Sequence, residues 1–98
     1  LGRKTAREKI ASLLTIIARR DAALKLAEMG NRLEFDLPLT REAMADYLGL
    51  TLETVSRQMS ALKRDGVIEL ATKRHVHVPD FDRLLDETGD DTDGGLLA

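Results

Sequence analysis

The chain has no cysteine and no tryptophan, and only one tyrosine and two phenylalanines among its 98 residues. Without cysteine there is no disulfide, no thiolate metal site and no thiol nucleophile. That absence is in keeping with a reducing cytoplasm, the expected location. With 3% aromatic against 43% apolar residues, the core has to be aliphatic. No apolar run approaches the ~20 residues that a bilayer-spanning helix requires, so no membrane partner is expected. A secretory signal is not visible either. Nor is there a phosphate-binding glycine loop, a dinucleotide glycine pattern or a Ser/His/Asp arrangement, and an enzyme is not expected. The two histidines, His75 and His77, alternate and would share one face of a strand. Two imidazoles without cysteine or a convergent carboxylate make a poor metal site, so they read as surface residues or phosphate donors. The first residue is leucine rather than methionine, which suggests a piece of a longer protein.

What is present is unevenly distributed. The net charge of −2 conceals two regions of opposite sign. Residues 1–79 hold 14 Lys+Arg against 10 Asp+Glu, a net +4, whereas residues 80–98 hold one Arg against 7 acids, a net −6. The length suits one domain with a modest core. The division predicts a folded body over residues 1–80 and an acidic tail over 81–98 that is largely disordered. The body's charge is compatible with nucleic acid without demanding it.

Helical punctuation begins at Thr5 and Glu8, spaced as a capping box, followed by Ile10, Leu13, Leu14 and Ile17 at the spacing of one buried face. Ala22, Ala23, Leu24 and Leu26 extend the pattern or start another turn, and Gly30 is a natural stop. Arg3, Lys4, Arg7 and Lys9 cluster at the front and read as a solvated face. Leu33 to Leu37 alternates apolar and polar residues, the mark of a short half-buried strand that Pro38 ends. Thr40 is an N-cap for a helix over Arg41–Leu48, with Met44, Ala45, Tyr47 and Leu48 expected to face the core. Gly49 supplies a tight turn, and Thr51 caps a further helix running to about Asp65, with Gly66 ending it. Val67–Leu70 and His75–Val78 are β-rich around Ala71–Arg74, a hairpin or wing closed by Pro79. Phe81, Leu84 and Leu85 have the spacing to pack one last turn, while the Asp/Gly-rich stretch from Thr88 cannot build a core.

The run from Arg41 to Arg64 is therefore two short amphipathic helices around a turn glycine, with a hairpin after them. This is a mainly α fold with a small β-wing, a winged helix-turn-helix whose second helix fits the DNA major groove. That helix hides Val55, Met59 and Leu62 and turns Glu53, Ser56, Arg57, Ser60 and Arg64 outward. Arg57 can pair with guanine O6 and N7, Glu53 can accept from cytosine N4, Ser56 can do either, and Leu52 can meet a thymine methyl. The candidate base-reading set is Leu52, Glu53, Ser56 and Arg57. Candidate phosphate ligands are Thr40, Arg41, Thr51 and Thr54 at the two helix starts, with Lys73 and Arg74 at the wing tip. Thr40 and Thr51 are already accounted for as caps, and Ser60 and Arg64 as solvated residues. A winged helix that docks another protein instead of DNA is the alternative, although such a surface would carry apolar groups here.

The segment Leu48-Gly49-Leu50-Thr51-Leu52-Glu53-Thr54-Val55-Ser56-Arg57, with Leu62, Gly66 and Ile68 beyond it, resembles the C-terminal domain of the bacterial CRP/FNR regulators over about residues 3–80. Glu53, Ser56 and Arg57 match the FNR and FixK-like branch. The cyclic-AMP-receptor branch carries Arg where Leu52 stands and Gly where Ser56 stands. The resemblance implies sequence-specific double-stranded DNA binding at TTGA-type half-sites of an inverted repeat. It also implies a homodimeric intact protein that works with RNA polymerase. The family's sensory β-barrel and dimerisation helix lie outside these residues, and with them any effector, iron–sulfur or haem ligands, so no cofactor is expected within the chain.

Overall fold

The computed structural model describes residues 4–22 and 31–89. In chain order the elements are α1 (Ala6–Ala22), β1 (Leu33–Asp36), α2 (Arg41–Leu48), α3 (Leu52–Arg64), β2 (Glu69–Leu70), β3 (His75–Val78) and α4 (Phe81–Asp86). The strands form one antiparallel sheet in the order β1-β3-β2. Leu33 faces Val78 and Phe35 faces Val76 across β1 and β3, so one side of the sheet is apolar. Glu34 faces His77 and Asp36 faces His75, which leaves the other side polar.

The start of α1 is the predicted capping box. Glu8 N–H donates to Thr5 Oγ1 at 3.1 Å, and Thr5 N–H donates to Glu8 Oε1 at 2.9 Å. Ile10, Leu13, Leu14 and Ile17 are buried at their helical spacing, packed with Met44, Met59 and the apolar side of the sheet. The continuation over Ala23–Leu26 and the stop at Gly30 lie outside the described residues. Among the described residues no helix is long and apolar enough to cross a membrane.

Both helices of the central pair end on the same six-residue device. After α2, Leu50 N–H reaches Ala45 O at 2.8 Å and Gly49 N–H lies 3.4 Å from Asp46 O, with Gly49 at φ +71°. After α3, Val67 N–H reaches Leu62 O at 3.0 Å and Gly66 N–H reaches Lys63 O at 3.1 Å, with Gly66 at φ +79°. In each, a left-handed residue turns two amides back onto the last carbonyls. Open space surrounds both Cα atoms, so backbone angle rather than crowding calls for glycine.

Three expectations change. Tyr47 is 70% exposed rather than in the core. At ~100° per residue, Met44, Ala45 and Leu48 share one arc of α2 and Tyr47 falls outside it. The boundary after residue 80 falls too early, because α4 buries Phe81 and Leu84 and the folded body continues to Gly89. Residues 90–98 lie outside the described part. Arg7, placed on a solvated face, instead joins α1 to two other segments. Its guanidinium meets Glu87 at 2.8 and 3.0 Å and Asp65 at 2.8 Å. The pairing raises the Arg7 pKa and holds Glu87 and Asp65 below their ordinary values, with Arg7 the main cause in each.

Candidate nucleic-acid interface

The outward side of α3 is assembled by its cap. Thr51 is extended at φ −88°, ψ 158°, and its Oγ1 accepts from Thr54 N–H at 3.1 Å while donating to Thr54 Oγ1 at 2.8 Å. The cap fixes where the helix begins, and Val55, Met59 and Leu62 fix its rotation by burying the opposite stripe. Leu52, Glu53, Ser56 and Arg57 are consequently all exposed together, Leu52 at 44%. Arg57 Nη2 sits 2.7 Å from Glu53 Oε2, one turn away. With side chains 65% and 79% exposed, this pair adds little stability. Its effect is orientation, since it lays the guanidinium along the face that carries Ser56. Ser60 and Arg64 continue that face, both exposed.

The phosphate candidates separate into distinct situations. Thr40 caps α2, accepting from Ala43 N–H at 3.1 Å, and Thr51 does the same for α3, so both hydroxyls have structural work. Thr54 is half-buried against Thr51. Arg41 is half-buried, and that burial lowers its pKa. A guanidinium nevertheless remains charged in proteins. Lys73 stands exposed at the wing tip. Arg74, also expected there as a phosphate ligand, turns back instead. Its Nε and Nη2 donate to the Leu37 carbonyl at 3.2 and 3.1 Å.

The polar side of the sheet was not foreseen. His75 places Nδ1 2.8 Å from Asp36 and Nε2 2.6 Å from Glu34, while His77 Nδ1 lies 2.8 Å from Glu69. Both nitrogens of His75 thus meet carboxylates, which suits the imidazolium, and its pKa is raised, by Asp36 first and Glu34 second. The alternation of acids in β1 and histidines in β3 was the available signal. What was missing was that these two strands are neighbours. Despite the convergence, no group of three metal-ligating side chains suited to an ion occurs among the described residues.

The family profile described as the Crp-like helix-turn-helix domain matches residues 8–87. The chain belongs to the CRP/FNR family. Within it, the FNR and FixK branch is the match. The chain is 80% identical over 96 residues to the transcriptional activator protein FnrL of Cereibacter sphaeroides, covering 98% of this chain and 39% of that protein. It is 41% identical over 84 residues to the nitrogen fixation regulation protein FixK of Azorhizobium caulinodans, covering 86% of this chain and 33% of that protein. Among solved structures, FixK2 from Bradyrhizobium japonicum superposes with a TM-score of 0.73 at 38% identity, covering 89% of this chain and 40% of that one. The chain therefore spans between a third and two-fifths of the length of these curated relatives. The CRP/FNR regulators are a family of non-enzymes, and a helix-turn-helix of this family is a DNA-binding unit of transcription regulators. The protein-docking alternative receives no support from these relatives.

Proposed function

We propose that this chain reads operator DNA through α3, with Leu52, Glu53, Ser56 and Arg57 at base edges of a TTGA-type half-site. One observation supports this most: a capped helix with a fully buried apolar stripe presents those four side chains together, unencumbered except by the Glu53–Arg57 pair. Arg57 supplies a bidentate donor for guanine, Glu53 an acceptor for a cytosine amine, and Leu52 an apolar contact for a thymine methyl. Lys73, Arg41 and the amide-rich starts of α2 and α3 meet the flanking phosphates and set the register. The intact protein works as a cytoplasmic homodimer on an inverted repeat, and RNA polymerase is its partner. Relatives named as transcriptional activators support that reading.

Two half-sites on one face of the duplex lie ~34–36 Å apart, so a single copy holds only half of the surface that a dimer presents. Selection of bound sequences from a random duplex pool at controlled salt tests the proposal. It should enrich a TTGA-type core, and a titration should show the chain binding one half-site far more weakly than the dimer binds the repeat. Enrichment of no sequence at all would remove the base-reading role.

A further inference from the structure

The junction between β1 and the wing tip departs from a regular antiparallel ladder in one respect. The paired register ends at Asp36 and His75, and one step on a backbone hydrogen bond sets Leu37 opposite Arg74. Two residues opposed as a hydrogen-bonded pair ordinarily exchange both N–H···O bonds. Here only one is made between the backbones, Leu37 N–H to Arg74 O at 2.7 Å. Arg74 N–H is turned away, to Thr72 Oγ1 at 3.2 Å, and His75 N–H joins the same hydroxyl at 3.1 Å. Those two bonds, with Ala71 N–H to His75 O at 3.1 Å, fold the wing tip. They deprive the Leu37 carbonyl of its ladder donor. The Arg74 guanidinium replaces it with two donors, Nε and Nη2.

We infer that Arg74 is a positioning residue: it fixes the wing tip to the segment leading into α2, so that Lys73 and the Thr40–Arg41 start of α2 meet the DNA backbone as one frame. The inference rests on the DNA-binding reading above. Leu37 is buried, which makes it a firm anchor, and only Pro38 and Leu39 separate it from the cap Thr40. Proline removes freedom from that short link. Lysine cannot take over the role, because an ammonium is a hydrated point charge without the planar fork that brings two donors to one carbonyl.

The test compares the wild-type protein with R74K, R74Q and K73A in salt-titrated binding to a duplex carrying the selected site. Amide hydrogen exchange at Leu37 in the free protein is measured alongside. R74K keeps the charge, so its salt slope should match wild type while its affinity falls by about fivefold, the worth of one net hydrogen bond. Leu37 exchange should quicken in R74K and R74Q and stay unchanged in K73A. R74K binding as tightly as wild type, with slow Leu37 exchange and a shallower slope only in R74Q, would overturn the inference and return Arg74 to the phosphate ligands. Failure of the DNA-binding reading looks different: the wild-type protein itself would then show no site preference, whatever the exchange at Leu37.

Discussion

Two polar surfaces of this molecule are both exposed and both charged, yet they are built on opposite principles. On the outer side of the sheet, the charged groups satisfy one another: His75 is held by Asp36 and Glu34, and His77 by Glu69. On α3 Glu53 pairs with Arg57 and Arg64 lies 3.6 Å from the cap residue Asp65, while Ser56 and Ser60 stand beside them without burial. A surface whose charges are already paired, with acids in the majority, has little to offer a polyanion. A surface whose guanidinium groups are mostly open to solvent, each held by one carboxylate only, has more. Charge counting along the sequence gives the two regions similar weight, and the difference lies in who is opposite whom.

The comparison can be pressed hardest at the hidden side of α3, since everything outward depends on it. Leu62→Ala should destabilise the fold by ~2–5 kcal/mol, read as a lowered urea midpoint. A loss within experimental error would mean that α3 does not take its rotation from that stripe. Next comes the outward side: Arg57→Ala should weaken the selected site by ~1–3 kcal/mol and relax preference at one guanine. Equal weakening on all sequences would make Arg57 a phosphate ligand only. Lys73→Ala is a smaller and less selective change, expected to weaken all duplexes alike and to make the salt slope shallower by ~0.9 unit. An unchanged slope would remove Lys73 from the interface.

The paired surface should respond to pH instead of to DNA. The His75 pKa is raised above its ordinary 6.5 by Asp36 and Glu34. Stabilisation from such a group is fully present below the unfolded value and fades as pH rises through the folded one. The stability of wild type relative to H75Q should therefore be greatest on the acid side of 6.5 and should shrink as the pH is raised past it. A difference that stays flat over that interval would show that the two carboxylates do not hold the imidazolium. Exposure keeps this the smallest of the four effects.

Much of the molecule was readable because its signals are local. The Thr5–Glu8 box, the Thr40 and Thr51 caps, and Gly49 and Gly66 each act within a few residues, and each appears where its spacing placed it. The buried stripe of α3 follows from helical periodicity alone. What escaped depends on contacts between distant segments. Tyr47 carries an apolar ring but lies outside the buried arc of its helix. Arg7 looks like any front-end cation until Glu87 arrives from the far end of the chain. Arg74 resembles a wing-tip phosphate ligand because the sequence cannot show that Thr72 takes its amide and leaves Leu37 in need of a donor. Phe81 and Leu84 had the right spacing, but the acidic residues around them argued for a tail.

Arg7 joins three segments at a single guanidinium: the first turn of α1, the cap of α3 at Asp65, and the chain beyond α4 at Glu87. In mechanical terms it is a rivet through three layers rather than a strut between two. The far end of α3 is thereby tied to the opening turn of α1, whereas the Thr51 cap at its near end bonds only within the helix, to Thr54. Removing that one guanidinium would leave two carboxylates on two separate segments, Asp65 and Glu87, without their shared partner.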